Sequence, residues 1–543
     1  MRGETKDASA GDRPAAPILE ALAAHLRRRA TRFHVPGHKG GRGAFRELRD
    51  LFGPALLRLD LTELGGLDDP ANPRPDGPID RAGRLAACVW AASRARLLFG
   101  GATAGVTGLI LASTGPGDVL LATAPFHRSV VAGSILSGCM LRVLPPRLIG
   151  PGALPAPAAP ETVAEALARH RPRAVLVTSP TYHGLVADIA RVAAVCREHG
   201  VPLLVDGAHG AHLGFAESLP PSPLEAGASA VVLSLHKTAG ALTPGAVVVL
   251  GPAARTAGSG PADGPAPPID PDHLDAALRL VQTSSPSWPV LASLDVARRR
   301  LALHGKDDWA RAVRLAEETR AAVRRGAPHW FRPLEPGADF PGDLAHDPTR
   351  LVFVLGHDAP PSLTGLDVGA ALAAAGVDVE MAGWAEVVLV VTPADTVEAH
   401  RRLVSSLLGV LQRVGDRGAS FTAGTLAEAG GLGGRESALA LEKDCWEAAP
   451  DLETAPADAF RRSRRWVPLA EAVGRLAADV VCPYPPGVPL VVPGQRLWPS
   501  ALRYLELLTG TGGATHGLRT GPVERNRGGD GPAGRGTEIR VAE

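Results

Sequence analysis

The sequence predicts an α/β fold with a mostly parallel central sheet. Two observations support this prediction. Short apolar runs alternate with helical stretches from about residue 85 to residue 250, and each run has only four or five residues. Strands buried on both faces are typically continuous apolar runs, and their alternation with helices is typical of a parallel sheet covered by helices.

The individual elements follow from the apolar spacing. Five apolar runs are predicted to be strands: residues 118–122, 174–178, 202–206, 230–234 and 246–250. Apolar residues with helical spacing predict helices at residues 18–29, 103–112, 161–169, 189–199 and 291–325. Residues 351–410 repeat the strand–helix pattern and predict a small α/β unit.

Composition shifts divide the chain into six predicted segments. They are a disordered lead (1–14), a major domain (15–340), a small α/β domain (341–412), a Gly-rich linker (413–434), a C-terminal α+β domain (435–510) and a disordered tail (511–543).

Composition excludes several classes of protein. The 543 residues are 45% hydrophobic and 21% charged, which excludes disorder of the whole chain. The net charge is +1, so we expect no nucleic-acid partner, and no apolar run approaches the roughly 18 residues of a membrane span. The N-terminus lacks the apolar core of a signal peptide. The five cysteines are scattered without a CxxC pair, so we expect a cytoplasmic protein without a metal site.

One lysine follows a predicted strand. Lys237, in the segment SLHKT, is one of only five lysines in the chain. Ligands of α/β sheets bind at the carboxyl ends of strands, where a lysine can form a Schiff base with a carbonyl compound. The alternative is a solvated loop lysine.

An aspartate follows another predicted strand. Asp206, in VDGAHG, could pair with the pyridine nitrogen of pyridoxal phosphate (PLP) and keep the ring electron-poor. Taken alone, it could equally cap a loop. Asp206 and Lys237 together, each at the end of a strand of one sheet, favour a PLP site.

Two further segments fit such a site. GGATAG (100–105) opens a predicted helix, where free backbone N–H groups can bind a phosphate. His127, in FHRS, could lie flat on a pyridine ring, although a surface histidine is the alternative.

The sequence resembles the fold-type-I, PLP-dependent ornithine/lysine/arginine decarboxylase family, in its short form without an N-terminal wing domain. The matching motifs run in family order over roughly residues 15–505. They include RFHVPGHKGG (32–41), VTSPTYHGLVADI (177–189), LLVDGAHGAHLGF (203–215), SLHKTAGALT (234–243), QTSSPSWPVLASLDVAR (282–298) and VCPYPPGVPLVVPG (481–494). The resemblance implies the aspartate aminotransferase-like fold.

The resemblance also implies roles for single residues. Lys237 would carry PLP, Asp206 would face the pyridine nitrogen, and Ala208 would pack beneath the ring. His127 would stack on the other face of the ring.

The phosphate and the substrate would have their own partners. Ala102, Thr103, Ser234 and His236 would hold the phosphate. The segment 283–287, which includes Ser285, would reach the phosphate of a neighbouring subunit, so we expect a homodimer or a larger homo-oligomer with shared active sites.

The implied reaction removes CO2 from a basic amino acid and leaves a diamine or agmatine. Lys237 or His236 would return a proton to the substrate carbon. Glu380 would pair with the distal cation of the substrate, and His209 is expected close to it. The sequence does not choose among lysine, ornithine and arginine as the substrate. It also leaves open whether the physiological role is polyamine synthesis or acid consumption.

Several positions depart from the family pattern. Gly207 stands where glutamate is usual, Ala102 where a hydroxyl is usual, Trp288 where tyrosine is usual, and Pro244 where glutamine is common. Two alternatives therefore stay open: another PLP reaction on this fold, such as transamination or an aldol or lyase step, and a non-catalytic relative with a binding role.

Overall fold

The computed structural model describes residues 14–62, 67–252, 267–417, 434–484, 487–511, 513–522 and 535–543. Its helices, in chain order, are α1 Pro17–Arg27, α2 Arg46–Leu59, α3 Pro78–Val89, α4 Gly101–Ser113, α5 Ser129–Ser137, α6 Pro160–His170, α7 Ile189–Glu198, α8 Leu235–Thr238, α9 Pro271–Val281, α10 Trp288–Gly326, α11 Gly365–Ala374, α12 Val397–Arg417, α13 Arg435–Glu447, α14 Pro456–Arg461 and α15 Pro499–Gly510.

The strands are β1 Arg94–Leu98, β2 Val119–Thr123, β3 Met140–Leu144, β4 Arg147–Ile149, β5 Leu154–Ala156, β6 Ala174–Thr178, β7 Leu185–Val186, β8 Leu203–Asp206, β9 Ala230–Leu233, β10 Ala246–Leu250, β11 Phe331–Pro333, β12 Ala345–His346, β13 Arg350–Leu355, β14 Met381–Ala382, β15 Glu386–Val390, β16 Arg464–Pro468, β17 Cys482–Pro483, β18 Thr515–His516, β19 Leu518–Pro522 and β20 Arg535–Ala542.

The chain divides into two compact units. The first unit combines Met1–Ser113 with Ile189–Ala310, and the second combines Thr114–Asp188 with Arg311–Glu543. These units cut across the predicted major domain, because residues 114–188 group with the C-terminal part of the chain. The predicted boundaries at residues 340 and 412 stay predictions.

In the first unit the strands lie in the order β1, β10, β9 and β8. Strand β8 pairs with β9 in parallel, and Asp206 lies opposite Val232. Strands β9, β10 and β1 pair antiparallel, so this part of the sheet is mixed. All residues of β8, β9 and β10 are buried, which explains their uninterrupted apolar sequences.

Helix α4 lies very close to this sheet. A Cβ atom added to Gly105 would lie 2.7 Å from Leu98 Cδ1 and 2.8 Å from Val232 Cγ1. Glycine at this position therefore allows the close approach of helix and strands, which fixes where the first turn of α4 lies.

In the second unit, β6, β2 and β3 pair in parallel. A four-stranded antiparallel sheet has the order β11, β13, β15 and β14. In the sequence, α11 lies between β13 and β14, and α12 follows β15. Its core is a cluster of buried apolar side chains: Ile149, Leu154, Ala156, Leu185, Leu334, Phe340, Leu344, Val352, Val354, Met381 and Val388.

The predicted fold class is confirmed, and the five predicted strands are present with bounds within one residue. The prediction of a disordered tail is wrong for its described residues. Strand β20 pairs with β16 and β19, and its Ile539 and Val541 are buried. In β20 the buried apolar residues Ile539 and Val541 are separated by Arg540, and the surrounding composition is rich in Gly and Arg. A half-buried strand of this kind is not a continuous apolar run, so the sequence did not predict it. The predicted lead (except Pro14) and most of the predicted linker lie outside the described residues.

A buried ion pair on α10 holds the N-terminal helix in the first unit. Arg298 pairs with Asp295 one turn away, and both side chains are buried. Asp295 Oδ2 also accepts the Ile18 N–H at 2.8 Å, and Arg298 donates to the Ala15 carbonyl at 2.8 Å. Burial raises the pKa of Asp295, while the nearby Arg298 charge opposes that rise.

We predict that Asp295→Ala loosens α1, because it leaves the Arg298 guanidinium buried without its carboxylate. Breaking a buried pair costs about 3–5 kcal/mol, so exchange of the α1 amides should become roughly a hundredfold faster or more. Hydrogen exchange of the peptide containing α1 measures this. Asp307→Ala, at an exposed position of α10, is the control and should leave the exchange unchanged. Equal exchange in both variants would contradict the anchoring role.

Candidate active site

The first unit brings three predicted site residues to the ends of two neighbouring strands. Asp206 is the last residue of β8, and Ser234 and Lys237 directly follow β9. Because β8 and β9 are parallel and in register, both chain segments leave the sheet at the same edge.

Lys237 contacts a predicted substrate residue. Its Nζ lies 2.9 Å from His209 Nε2. When the Lys237 amine is an ammonium it has only donors, and His209 Nε2 is then the acceptor of this hydrogen bond. The Lys237 side chain is exposed, whereas His209 is buried. The amine is therefore oriented by the protein and accessible to a small molecule.

The turn after β8 is tight. Asp206 is buried, and its Oδ1 accepts the N–H of Ala208 at 3.2 Å. A Cβ atom on Gly207 would lie 2.9 Å from Val231 Cγ1 and 3.2 Å from the Val232 carbonyl oxygen. The departure at residue 207 thus has a physical basis, since the backbone here lies too close to β9 for a side chain unless β9 shifts.

Two predicted phosphate residues surround the start of α8. Ser234 is fully buried, and within the described residues its Oγ has no hydrogen-bond partner. His236 Nδ1 donates to the Gly245 carbonyl at 2.9 Å, which leaves Nε2 as an acceptor. Burial lowers the pKa of His236, and the Lys237 charge lowers it further. His236 is therefore neutral near pH 7.

The glycine-rich turn before α4 is held by a residue that the sequence did not single out. Gln282 Oε1 accepts the N–H groups of Phe99 at 3.1 Å and Gly100 at 3.3 Å. Gly101 follows with φ +75°, a conformation that favours glycine. Gln282 opens the QTSSPSW motif, so its place in that motif was the available signal.

The predicted phosphate residues Ala102, Thr103 and Ser285 are all at least partly exposed. Ala102 is half-buried and Thr103 exposed in the first turn of α4. Thr283 Oγ1 accepts the N–H of Ser285 at 3.1 Å, and both residues are exposed. The predicted reach of Ser285 toward a neighbouring subunit stays a prediction.

His127 lies in the second unit, between β2 and α5. Its Nδ1 accepts the N–H of Ser129 at 3.2 Å and lies 2.9 Å from Ser129 Oγ. The Arg128 N–H donates to the Gly487 carbonyl at 3.3 Å, so Gly487 of the CPYPPGVP motif lies beside His127. The sequence alone did not predict that contact.

Glu380 also belongs to the second unit. Its Oε1 accepts the Tyr182 hydroxyl at 2.6 Å. Burial raises the pKa of Tyr182, and the bond to Glu380 raises it further, so the phenol keeps its proton. Tyr182 was not predicted as a site residue, although it stands in the PTYHG motif. Within the described chain, no group of three or more His, Cys, Asp or Glu side chains could hold a metal ion.

Family models match most of the chain. The model described as Orn/Lys/Arg decarboxylase, major domain, matches residues 16–338, and the model of the C-terminal domain matches residues 439–520.

Relatives match over nearly the whole chain. Arginine decarboxylase of Bacillus anthracis is 28% identical over 499 residues, which cover 90% of this chain and 92% of the relative. An uncharacterized protein of Bacillus subtilis, YaaO, is 30% identical over 91% of this chain and 94% of its own. Lysine decarboxylase LdcA of Pseudomonas aeruginosa is 26% identical, and the match covers 96% of this chain and 79% of the relative.

Solved structures share the fold. Lysine decarboxylase A of Pseudomonas aeruginosa has a TM-score of 0.77 at 23% identity and covers 97% of this chain and 80% of its own. Lysine decarboxylase LdcF of Francisella novicida has a TM-score of 0.76 at 19% identity, and the match covers 97% of this chain and 81% of its own. The family models cover well over half of the sequence, and the chain therefore belongs to the Orn/Lys/Arg decarboxylase family.

Proposed function

We propose that this decarboxylase uses PLP, carried by Lys237, to release CO2 from arginine, lysine or ornithine. One observation carries the proposal: the Lys237 amine lies 2.9 Å from His209, at the sheet edge where β8 ends in a buried aspartate. Arginine is the first substrate to test, because several relatives named arginine decarboxylase match over about nine-tenths of both lengths.

The residues present fit PLP. Ser234 Oγ is a buried hydroxyl without a partner among the described residues, which suits a phosphate oxygen. The first turn of α4 offers backbone N–H groups that favour an anion. Asp206 would face the ring nitrogen, Ala208 would pack beneath the ring, and His127 would stack on its other face. Bound PLP supplies an electron-poor ring that accepts the electron pair left behind when CO2 departs.

The geometry favours Lys237 as the proton donor. His236 is neutral near pH 7 and its one proton is bonded to the Gly245 carbonyl, so its Nε2 has none to give. Lys237 Nζ can donate a proton and lies within hydrogen-bonding distance of His209, which orients it. We therefore assign return of the proton to Lys237, whereas His236 helps to hold the phosphate.

Glu380 would bind the distal cation of the substrate. The Tyr182 hydroxyl donates to one carboxylate oxygen and fixes its orientation, while the other oxygen can accept a second donor. A carboxylate held in this way forms a strong charge-assisted hydrogen bond with an ammonium or a guanidinium group.

We predict CO2 release from one of L-arginine, L-lysine and L-ornithine when PLP is added, and loss of that release in Lys237→Ala. Release of labelled CO2 from each carboxyl-labelled substrate measures this. Lys306→Ala is the matched control, since this exposed lysine of the same unit forms a surface ion pair with the exposed Glu217. No release from any substrate by a protein that holds PLP would contradict the proposal.

A homodimer is part of the proposal. The segment around α2 exposes large apolar side chains, among them Phe33, Val35, Phe45 and Leu51. A contiguous stretch of exposed apolar side chains is typical of an interface. The exposed segment 283–285 could then contribute Ser285 to the site of the partner.

A shared site predicts complementation between two inactive variants. Lys237→Ala lacks the amine, and Ser285→Asp adds a charge that repels the phosphate. A heterodimer of the two should contain one intact site and show about half of the wild-type activity. Co-expression with two different affinity tags, tandem purification and an activity assay measure this. A purified heterodimer no more active than either variant would show that the sites are not shared.

A cytoplasmic location and a role in polyamine synthesis complete the proposal. All five cysteines are free thiols, as is usual in a reducing compartment. Among the described residues, no helix is both long and apolar enough to cross a membrane. Decarboxylation of these amino acids gives agmatine, cadaverine or putrescine, which are amines of the polyamine class.

A further inference from the structure

The second unit contains a cavity that the proposed reaction does not use. Its volume is about 310 Å³, near the lower end of the range for small-molecule sites. Most of the wall is apolar or aromatic, with contributions from Leu154, Leu366, Met381, Trp384, Trp446, Tyr484, Leu490 and Leu508.

Two carboxylates line this cavity. Glu386, on β15, is buried, and its Oε2 accepts the Ala385 N–H at 3.3 Å. Glu442, on α13, is bonded to the Tyr504 hydroxyl, which in turn accepts the Trp384 indole N–H at 3.1 Å. None of the described residues that line the cavity is an arginine or a lysine. The acids therefore have no arginine or lysine partner among the described residues of the cavity wall.

The carboxylates affect each other. Burial, and after it the charge of Glu386, raise the pKa of Glu442 to about 8, against the opposing effect of the Tyr504 hydrogen bond. Cys445 lies on the same helix, and burial and the charge of Glu442 both raise the pKa of its thiol. At neutral pH, Glu442 therefore keeps a proton in the absence of a cation.

A buried histidine adds a further acceptor. His183 also lines the cavity and is only 5% exposed, and its Nε2 lies 3.4 Å from Glu386 Oε1. In the neutral imidazole whose Nε2 donates to that carboxylate, Nδ1 carries a lone pair. Nδ1 has no hydrogen-bond partner among the described residues. Trp446 Nε1 is a donor in the wall that likewise has no partner there. Acceptors thus dominate the polar part of the wall.

We infer that this cavity binds a small organic cation, an alkylammonium or alkylguanidinium, between Glu442 and Glu386, with Nδ1 of His183 as an additional acceptor. The N–H groups of such a cation would satisfy the three acceptors, and its carbon chain would lie against the apolar wall. The wall also contains aromatic side chains, whose ring faces can attract an organic cation. The inference does not depend on the reaction proposed above.

Binding of amines to the full-length protein tests this inference. The probes are butylamine, putrescine and agmatine, measured by isothermal titration calorimetry and by the fluorescence of Trp384 and Trp446. We expect saturable binding that is at least tenfold weaker in Glu442→Gln. Binding to the wild type should release a proton at pH 7, because Glu442 ionises when the cation arrives. Titration in buffers of different ionisation enthalpy detects that proton.

Glu447→Gln is the matched control. Glu447 lies on the same helix, is exposed and pairs with Lys443, so its change should leave amine binding unaltered. Glu442→Gln keeps the side-chain shape and removes a poorly solvated acid, so it should melt no lower than the wild type. If it does not fold, Glu386→Gln carries the same expectation.

The inference would be overturned by either of two results. In the first, no probe binds the wild type up to about 10 mM. In the second, the Glu442 and Glu447 variants bind equally well, which would place the amine elsewhere in the chain. Neither result bears on CO2 release, so failure of this site is distinguishable from failure of the decarboxylase proposal.

Discussion

The parallel pairing of β8 with β9 determines most of the candidate active site. Since both strands run in the same direction and Asp206 lies opposite Val232, the segments that follow them leave the sheet together. The turn after β8 supplies His209, and the short helix after β9 supplies Lys237, whose amine reaches that histidine. A slip of one residue in this register would turn Asp206 to the opposite face of the sheet. Gly207, which lies against β9, accommodates the close packing.

Sequence reasoning predicted much of this arrangement for a physical reason. Strands buried on both faces are continuous apolar runs, so β6 and β10 were predicted residue for residue. The strand direction was not contained in the runs, and the antiparallel pairs of β9, β10 and β1 appeared only in the structure. Strand β20 was missed because only alternate side chains on it are buried. The comparisons confirmed the family and the class of enzyme.

Contacts between distant segments of the chain were beyond sequence reasoning. Gln282 forms hydrogen bonds with the turn before α4, although the two are about 180 residues apart in the sequence. Tyr182 and Glu380 form a hydrogen bond across a similar sequence separation. Local pattern carries no information on such pairs, although both residues stand inside motifs that the family resemblance identified. The acids Glu386 and Glu442 are a comparable case, because only the fold brings them to one cavity.

In the proposed function, Lys237 carries the cofactor. The chain has only five lysines, so the claim can be tested at the level of single residues. The holoenzyme would be reduced with borohydride, digested and examined by mass spectrometry for a phosphopyridoxyl group. We expect the label on Lys237 and none on Lys6, Lys39, Lys306 or Lys443. A label on another lysine, or none on a protein that retains PLP, would contradict this expectation.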